Sequence, residues 1–138
     1  MGIVLDSSVL IAAERAGKNP RQVIEEIAVS LGDTEATLSV VTITELAHGI
    51  ERADSGARRT TRERFLKELL REISVEPVTT AIAIRAGRID GGLQAQGQRV
   101  PLADLLIGTT ALELGYSVVT QNVRHFEMIP NLDVKRIL

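Results

Sequence analysis

The chain opens with an uninterrupted apolar run, Gly-Ile-Val-Leu at 2–5, that stops at Asp6. Such a run, short and rich in β-branched residues, predicts a buried strand, and the apolar segment after Asp6 predicts a helix through Ala16, stopped at Gly17. Asn19-Pro20 supplies a cap and a first helical residue, after which Val23, Ile24, Ile27 and Leu31 fall on one face of a helix ending near Gly32. Ala36 to Val41 predicts a second strand, and Thr42-Ile43-Thr44-Glu45 opens a helix toward Ala53, with Ser55-Gly56 as the break. From Thr60 or Thr61 to about Ile73 a further helix sets Phe65, Leu66, Leu69, Leu70 and Ile73 on one side. Residues 75–78 are expected to be extended, because Pro77 restrains what precedes it.

The next helix is predicted from Thr79 or Thr80, with Ile82, Ala86, Ile89 and Leu93 as its apolar face, fraying at Gly91-Gly92 and ending by Gly97. Pro101 starts another, carrying Leu102, Leu105, Leu106 and Leu112 and closed by Gly115. Tyr116 to Thr120 predicts a strand, residues 121–130 a loop or short helix, and Leu132 to Leu138 a last edge strand. Strands alternating with helices imply an α/β sandwich whose sheet is mostly parallel, because parallel neighbours need crossover connections. At 138 residues the chain has the size of one domain, spanning 1–138.

In open sheets of this kind the ligand site lies beyond the carboxyl ends of the strands. That rule selects Asp6 after the first strand, Glu45 in the first turn after the second, Asp104 in the first turn of the helix from Pro101, and Asn122 after the strand ending at Thr120. Each has a structural explanation of its own. Asp6 can cap a helix, Asp104 can favour a helix N-terminus, and Thr42-x-x-Glu45 has the form of a capping box. Glu45 and Asp104, however, are embedded among apolar neighbours, where a carboxylate needs a partner or a metal, and no Lys or Arg adjoins either in sequence. Three carboxylates and an amide suit a hard cation such as Mg²⁺ or Mn²⁺.

Other chemistries lack their residues. There is no phosphate-binding Gly-x-x-x-x-Gly-Lys-Ser/Thr loop, no triple-glycine dinucleotide fingerprint after the first strand, and no glycine pair around a nucleophilic serine. His48 and His125 have no metal-type spacing. His48 is expected at the surface or in packing, whereas His125 draws more interest because it lies beside the fourth position.

Composition changes this picture little. Hydrophobic residues make up 44% and charged residues 25%, a globular balance. No apolar run approaches the roughly 20 residues of a membrane helix, and MGIVLDSS shows no secretory signal. Without cysteine there are no disulfides or thiolate metal sites, and a cytoplasmic location is the expectation. Net charge is −2, but basic residues gather between Arg52 and Arg71, and Arg58, Arg59 and Arg62 are candidate contacts to nucleic-acid phosphates. The competing explanation is a solvated helix face with a Glu63–Lys67 pair. With only Phe65, Tyr116 and Phe126 as aromatics, base stacking on a platform is excluded as the main mode of nucleic-acid contact.

Four ordered segments carry a family likeness: VLDSSVLI at 4–11, VVTITELAHGI at 40–50, LADLLIGTTALELGYSVVTQN at 102–122 and NVRHFEMIPNL at 122–132. They span nearly the whole chain, and in this order and spacing the sequence resembles the PIN-domain ribonucleases, especially the VapC-type toxins of toxin–antitoxin modules. The resemblance implies a compact α/β/α sandwich and an acidic pocket with one or two Mg²⁺ or Mn²⁺ ions. It makes Asp6, Glu45 and Asp104 the three core acids of an endoribonuclease, with Ser7, Ser8 and Thr120 as hydroxyl donors behind them. It leaves the fourth position open between a weakly held second metal and replacement of a carboxylate by Asn122 with a water. Gly108 stands where alanine is common, a packing difference. The resemblance also implies a homodimer and a VapB-type antitoxin laid along an apolar groove, with an arginine often reaching the acidic pocket; residues 46–53 and 65–73 are candidate docking surfaces. Two other classes compete: a catalytically weakened binding module on the same fold, with Asn122 marking decay of the site, and a phosphotransfer receiver. The receiver would need a second acid beside Asp6 and a lysine after the last main strand, where the chain has Ser7 and Gln121.

Overall fold

The computed structural model describes residues 1–137. In chain order the elements are β1 (Gly2–Leu5), α1 (Ser7–Arg15), α2 (Pro20–Leu31), β2 (Glu35–Ser39), α3 (Val40–Glu51), α4 (Gly56–Glu72), β3 (Ser74–Glu76), α5 (Thr80–Ala95), α6 (Leu102–Leu114), β4 (Ser117–Thr120), α7 (Val123–Glu127) and β5 (Val134–Arg136). The five strands form one sheet in the order β3-β2-β1-β4-β5, and every pair is parallel.

Alternation along the central strands builds the three layers. Ile3, Leu5 and Val119 point to one face, where they pack with Val9 and Leu10 of α1, Val23 and Ile27 of α2, and Phe65 and Leu69 of α4. Val4 and Val118 point to the other, against Ala86 of α5, Leu105 and Ala111 of α6, and Phe126 of α7. All four residues of β1 and all four of β4 are buried, as expected of central parallel strands covered on both faces. The chain grows outward from β1 through β2 to β3, then crosses to build β4 and β5 on the other side. The direction of winding therefore reverses between β1 and β4, the place where such sheets form a crevice.

Several boundaries differ from the pattern-based expectation. The second strand stops at Ser39 rather than Val41, because the Ser39 hydroxyl accepts the Val41 N–H at 3.1 Å and caps α3. Thr42 thus lies inside the helix and forms no capping box; its hydroxyl oxygen is buried without a hydrogen-bond partner. Helix α4 begins at Gly56, earlier than Thr60, since the Ser55 hydroxyl accepts the Arg58 N–H at 3.1 Å. Helix α5 does not fray at Gly91-Gly92 but runs to Ala95. Its buried Ile82, Ala86 and Leu93 outweigh the roughly 1 kcal/mol that each glycine costs a helix. Residues 121–130 contain the short helix α7, and the edge strand is limited to Val134–Arg136; Leu138 lies outside the described residues.

Candidate active site

The pocket forms where β1 and β4 end side by side. Leu5 pairs with Val119, and the ladder continues one residue further through Asp6 N–H to the Val119 carbonyl at 3.0 Å. This fixes Asp6 opposite Thr120. Asp6 occupies the N-cap position of α1 but its side chain makes no cap bond. Instead Oδ2 accepts from the Ser8 hydroxyl at 2.7 Å and the Thr120 hydroxyl at 2.8 Å, and the residue is only 3% exposed. The Ser8 oxygen in turn accepts Gln121 N–H at 3.0 Å and the Thr120 oxygen accepts Asn122 N–H at 2.8 Å. Each hydroxyl has one proton, and both protons go to the same carboxylate oxygen.

Glu45 reaches the pocket from the second turn of α3, where the Ser7 hydroxyl donates to Oε1 at 2.9 Å. Asp104 arrives from the first turn of α6. Its Oδ2 lies 2.7 Å from Nδ1 of His125 on α7, and that same nitrogen is 3.0 Å from Nδ2 of Asn122. An amide NH₂ and an ionised carboxylate cannot both bond one Nδ1: the carboxylate accepts, so the nitrogen carries the proton. The Nδ1–H therefore donates to Asp104, and the Asn122 amide is assigned with its oxygen toward the ring.

The three carboxylates sense one another. Burial pushes the Glu45 carboxyl above its ordinary range; the Ser7 hydrogen bond opposes this and the charges of Asp6 and Asp104 add to it. Burial likewise raises Asp104, against the His125 hydrogen bond and with the Asp6 charge. Among the described residues, no three of His, Asp and Glu stand close enough to ligate one ion as placed. An ion would have to draw the side chains inward. The donor set is nonetheless all oxygen and anionic, which fits a hard divalent cation and no soft one.

The structure thus brings Asp6, Glu45, Asp104, Ser7, Ser8, Thr120 and Asn122 to one end of the sheet. His125 joins them through Asp104, a contact across 21 positions that sequence spacing did not disclose; its only signal was its place beside Asn122. The basic residues stand apart on α4. Arg58 pairs with Asp54 at 3.3 Å, and Arg59 bridges Glu51 at 2.7 Å and Glu63 at 3.0 Å. Glu63 is paired to Arg59 rather than Lys67. Arg62 pairs with Glu14 at 3.4 Å and donates to the Gly49 carbonyl, both side chains being largely covered. That pair lies in a groove between α1, α3 and α4, lined by Leu10, Ile11, Leu46, Gly49, Phe65 and Leu66, with Glu45 among its lining residues.

A parallel 3-2-1-4-5 sheet with carboxylates at the ends of adjacent elements defines a class, and the comparison with known families agrees: the chain belongs to the PIN-domain family, whose model matches residues 3–131. Within that family it falls with the VapC group. It is 33% identical over 130 residues to ribonuclease VapC10 of Mycobacterium tuberculosis, covering 94% of this chain and 90% of that one. To ribonuclease VapC1 of Rickettsia felis it is 28% identical over 134 residues, covering 97% and 95%. The fold is also that of the crystal structure of VapBC2 from Rickettsia felis bound to a promoter DNA fragment, with a TM-score of 0.85 at 19% identity and full coverage of both chains.

Proposed function

We propose that this protein is an Mg²⁺- or Mn²⁺-dependent endoribonuclease and the toxin of a VapBC-type module. The observation that carries the reading is the convergence of Asp6, Glu45 and Asp104 at the β1–β4 switch point in a chain of the VapC group. Asp6, Glu45 and Asp104 would hold the ion. When bound, it supplies a water of lowered pKa and positive charge against the phosphate. The protein's own work is orientation. Ser8 and Thr120 fix Asp6, Ser7 fixes Glu45, and His125 fixes Asp104, each by holding one oxygen of the carboxylate in place.

Arg58 and Arg59 are proposed to contact RNA phosphates. Their ion pairs are exposed and screened by solvent, and so are readily exchanged for a phosphate. Arg62 is more deeply engaged with Glu14 and belongs to the groove instead. Replacing Asp6 by Asn keeps an acceptor for Ser8 and Thr120 while removing the charge. Asp6→Asn is expected to abolish Mg²⁺-dependent cleavage of RNA, as EDTA does for the wild type, with the circular dichroism spectrum unchanged. Full activity in the variant would overturn the metal assignment and favour a binding module.

A VapB-type antitoxin is the proposed partner, and the α1–α3–α4 groove its seat. The groove offers an apolar floor for a helix and Glu45 as the terminus for a basic side chain. Gly49 allows a clean test, because a Cβ added there meets nothing within 4 Å. Gly49→Phe should fill the groove, leave Tm unchanged and abolish co-purification with the co-expressed antitoxin; undiminished co-purification would place the antitoxin elsewhere. The homodimer implied by the resemblance is likewise proposed, and size-exclusion chromatography with light scattering tests it.

A further inference from the structure

A second concavity adjoins the acidic pocket. It lies between the last turns of α5 and the start of α6, where Asp90, Gln94, Arg99, Leu102, Leu105 and His125 are among its lining side chains. At about 420 Å³ it falls within the roughly 300–1,000 Å³ typical of ligand sites. His125 belongs to both places: its Nδ1 lies 2.7 Å from Asp104 Oδ2, and its side chain also lines the cleft. The cleft thus begins one side chain away from the acids.

We propose that this cleft is a subsite for one nucleotide of the RNA strand, next to the bond that is cut. Arg99 binds its phosphate, Leu102 carries the face of its base, and Asp90 and Gln94 meet the edge of that base. The proposal rests on the ribonuclease reading above and adds to it where the strand runs. Arg99 is exposed, and among the described residues no Asp or Glu pairs with it. Unlike Arg58 and Arg59, it has no acid partner to give up before a phosphate takes its guanidinium. Leu102 is 68% exposed at the rim, above the buried Val100 and Leu105. A lone exposed leucine needs no explanation, but one at the rim of a polar cleft gives a base an apolar surface in a chain poor in aromatic rings. Gln94 Nε2 donates to Asp90 Oδ2 at 3.0 Å, which leaves Asp90 Oδ1 and Gln94 Oε1 to accept from the N–H groups of a base. Asp90 makes no ion pair with Arg99, so the cleft keeps a cationic side for phosphate and an accepting side for the base.

Binding of a fluorescein-labelled, unstructured 12-nucleotide RNA to the full-length Asp6→Asn protein in Mg²⁺, followed by anisotropy across a salt series, separates the two contacts. Arg99→Ala in that background should weaken binding about fivefold at 0.1 M salt and make the slope of log K against log salt shallower by about 0.7, the share of one phosphate on a single strand. Arg99→Lys should restore the slope. Leu102→Ala should weaken binding about threefold at every salt concentration and leave the slope unchanged. Arg21→Ala, which removes a positive charge paired to Glu72 on α4, should change neither. An Arg99→Ala slope equal to that of its parent would overturn the phosphate contact, and undiminished affinity in Leu102→Ala would overturn the base seat. A lower molar mass of Leu102→Ala in light scattering, with RNA binding unchanged, would give the cleft to a second copy of the chain instead. If the wild type neither binds nor cleaves this RNA in Mg²⁺, the ribonuclease reading falls, and the subsite with it.

Discussion

Glu45 shows how much of the pocket's chemistry is set by single side chains. Its carboxyl is raised by burial and by the neighbouring charges, so its folded value exceeds its unfolded one. A raised carboxylate contributes its stability fully below the unfolded value and loses that contribution as pH rises through the folded one. Ionised Glu45 is therefore a cost near neutrality. Glu45→Gln keeps an oxygen for the Ser7 hydroxyl and removes the charge, so at pH 7 its Tm should exceed the wild type's by on the order of a few degrees. The gap should close as pH falls below the ordinary carboxylate range, which thermal melts from pH 3 to 8 would follow; a gap that persists in acid would point to packing rather than charge. Thr42 is the opposite case. Its buried, unpaired hydroxyl was legible in the sequence only as a possible cap, because nothing local says that Ser39 takes that position first.

Among the elements, α6 has the tightest constraint. It carries Asp104 in its first turn and approaches α7 and the segment after it so closely that a Cβ at Gly108 would lie 2.5 Å from Ile129 Cδ1, 3.2 Å from Leu132 Cδ2 and 3.5 Å from Phe126 Cδ1 of α7. Alanine at 108 improves helix propensity by about 1 kcal/mol, whereas overpacking a core site costs about 1–3 kcal/mol. Ile129 is 2% exposed, so a shift of its methyl is made against packed neighbours. Gly108→Ala should lose about 1 kcal/mol in urea unfolding. In an Ile129→Val background, which removes that methyl, the same change should become neutral or stabilising. Equal losses in both backgrounds would show that Ile129 is not the obstacle. The glycine at this position thus belongs to the contact that brings His125 to Asp104, because α6 and α7 carry one partner each. Element positions themselves were mostly legible: apolar runs, Asn19-Pro20 and Gly115 marked strands, a start and a stop from local chemistry alone. The boundaries that moved, at Ser39, Ser55 and Gly91-Gly92, are those where a serine cap or a buried face overrode the punctuation.

At the scale of the whole molecule, the fold gathers like charges in one place while the net charge stays at −2. A ligand that binds only the folded state and neutralises those charges stabilises by mass action. Millimolar Mg²⁺ or Mn²⁺ should raise the wild-type Tm and leave that of Asp6→Asn nearly unchanged; superimposable wild-type melts with metal and with EDTA would count against a cation site. The described residues also contain no helix long and apolar enough to cross a membrane.

Sequence by itself determined which residue types stand at the strand ends and how strands alternate with helices, since both follow from local periodicity and from acids set among apolar neighbours. Only the tertiary structure decided which oxygen of each acid is engaged. Thr120 reaches Asp6 across 114 positions, Ser7 reaches Glu45 across 38 and His125 reaches Asp104 across 21. Those distances close only through the parallel register of β1 with β4 and the packing of α3, α6 and α7 around it, which no local pattern encodes.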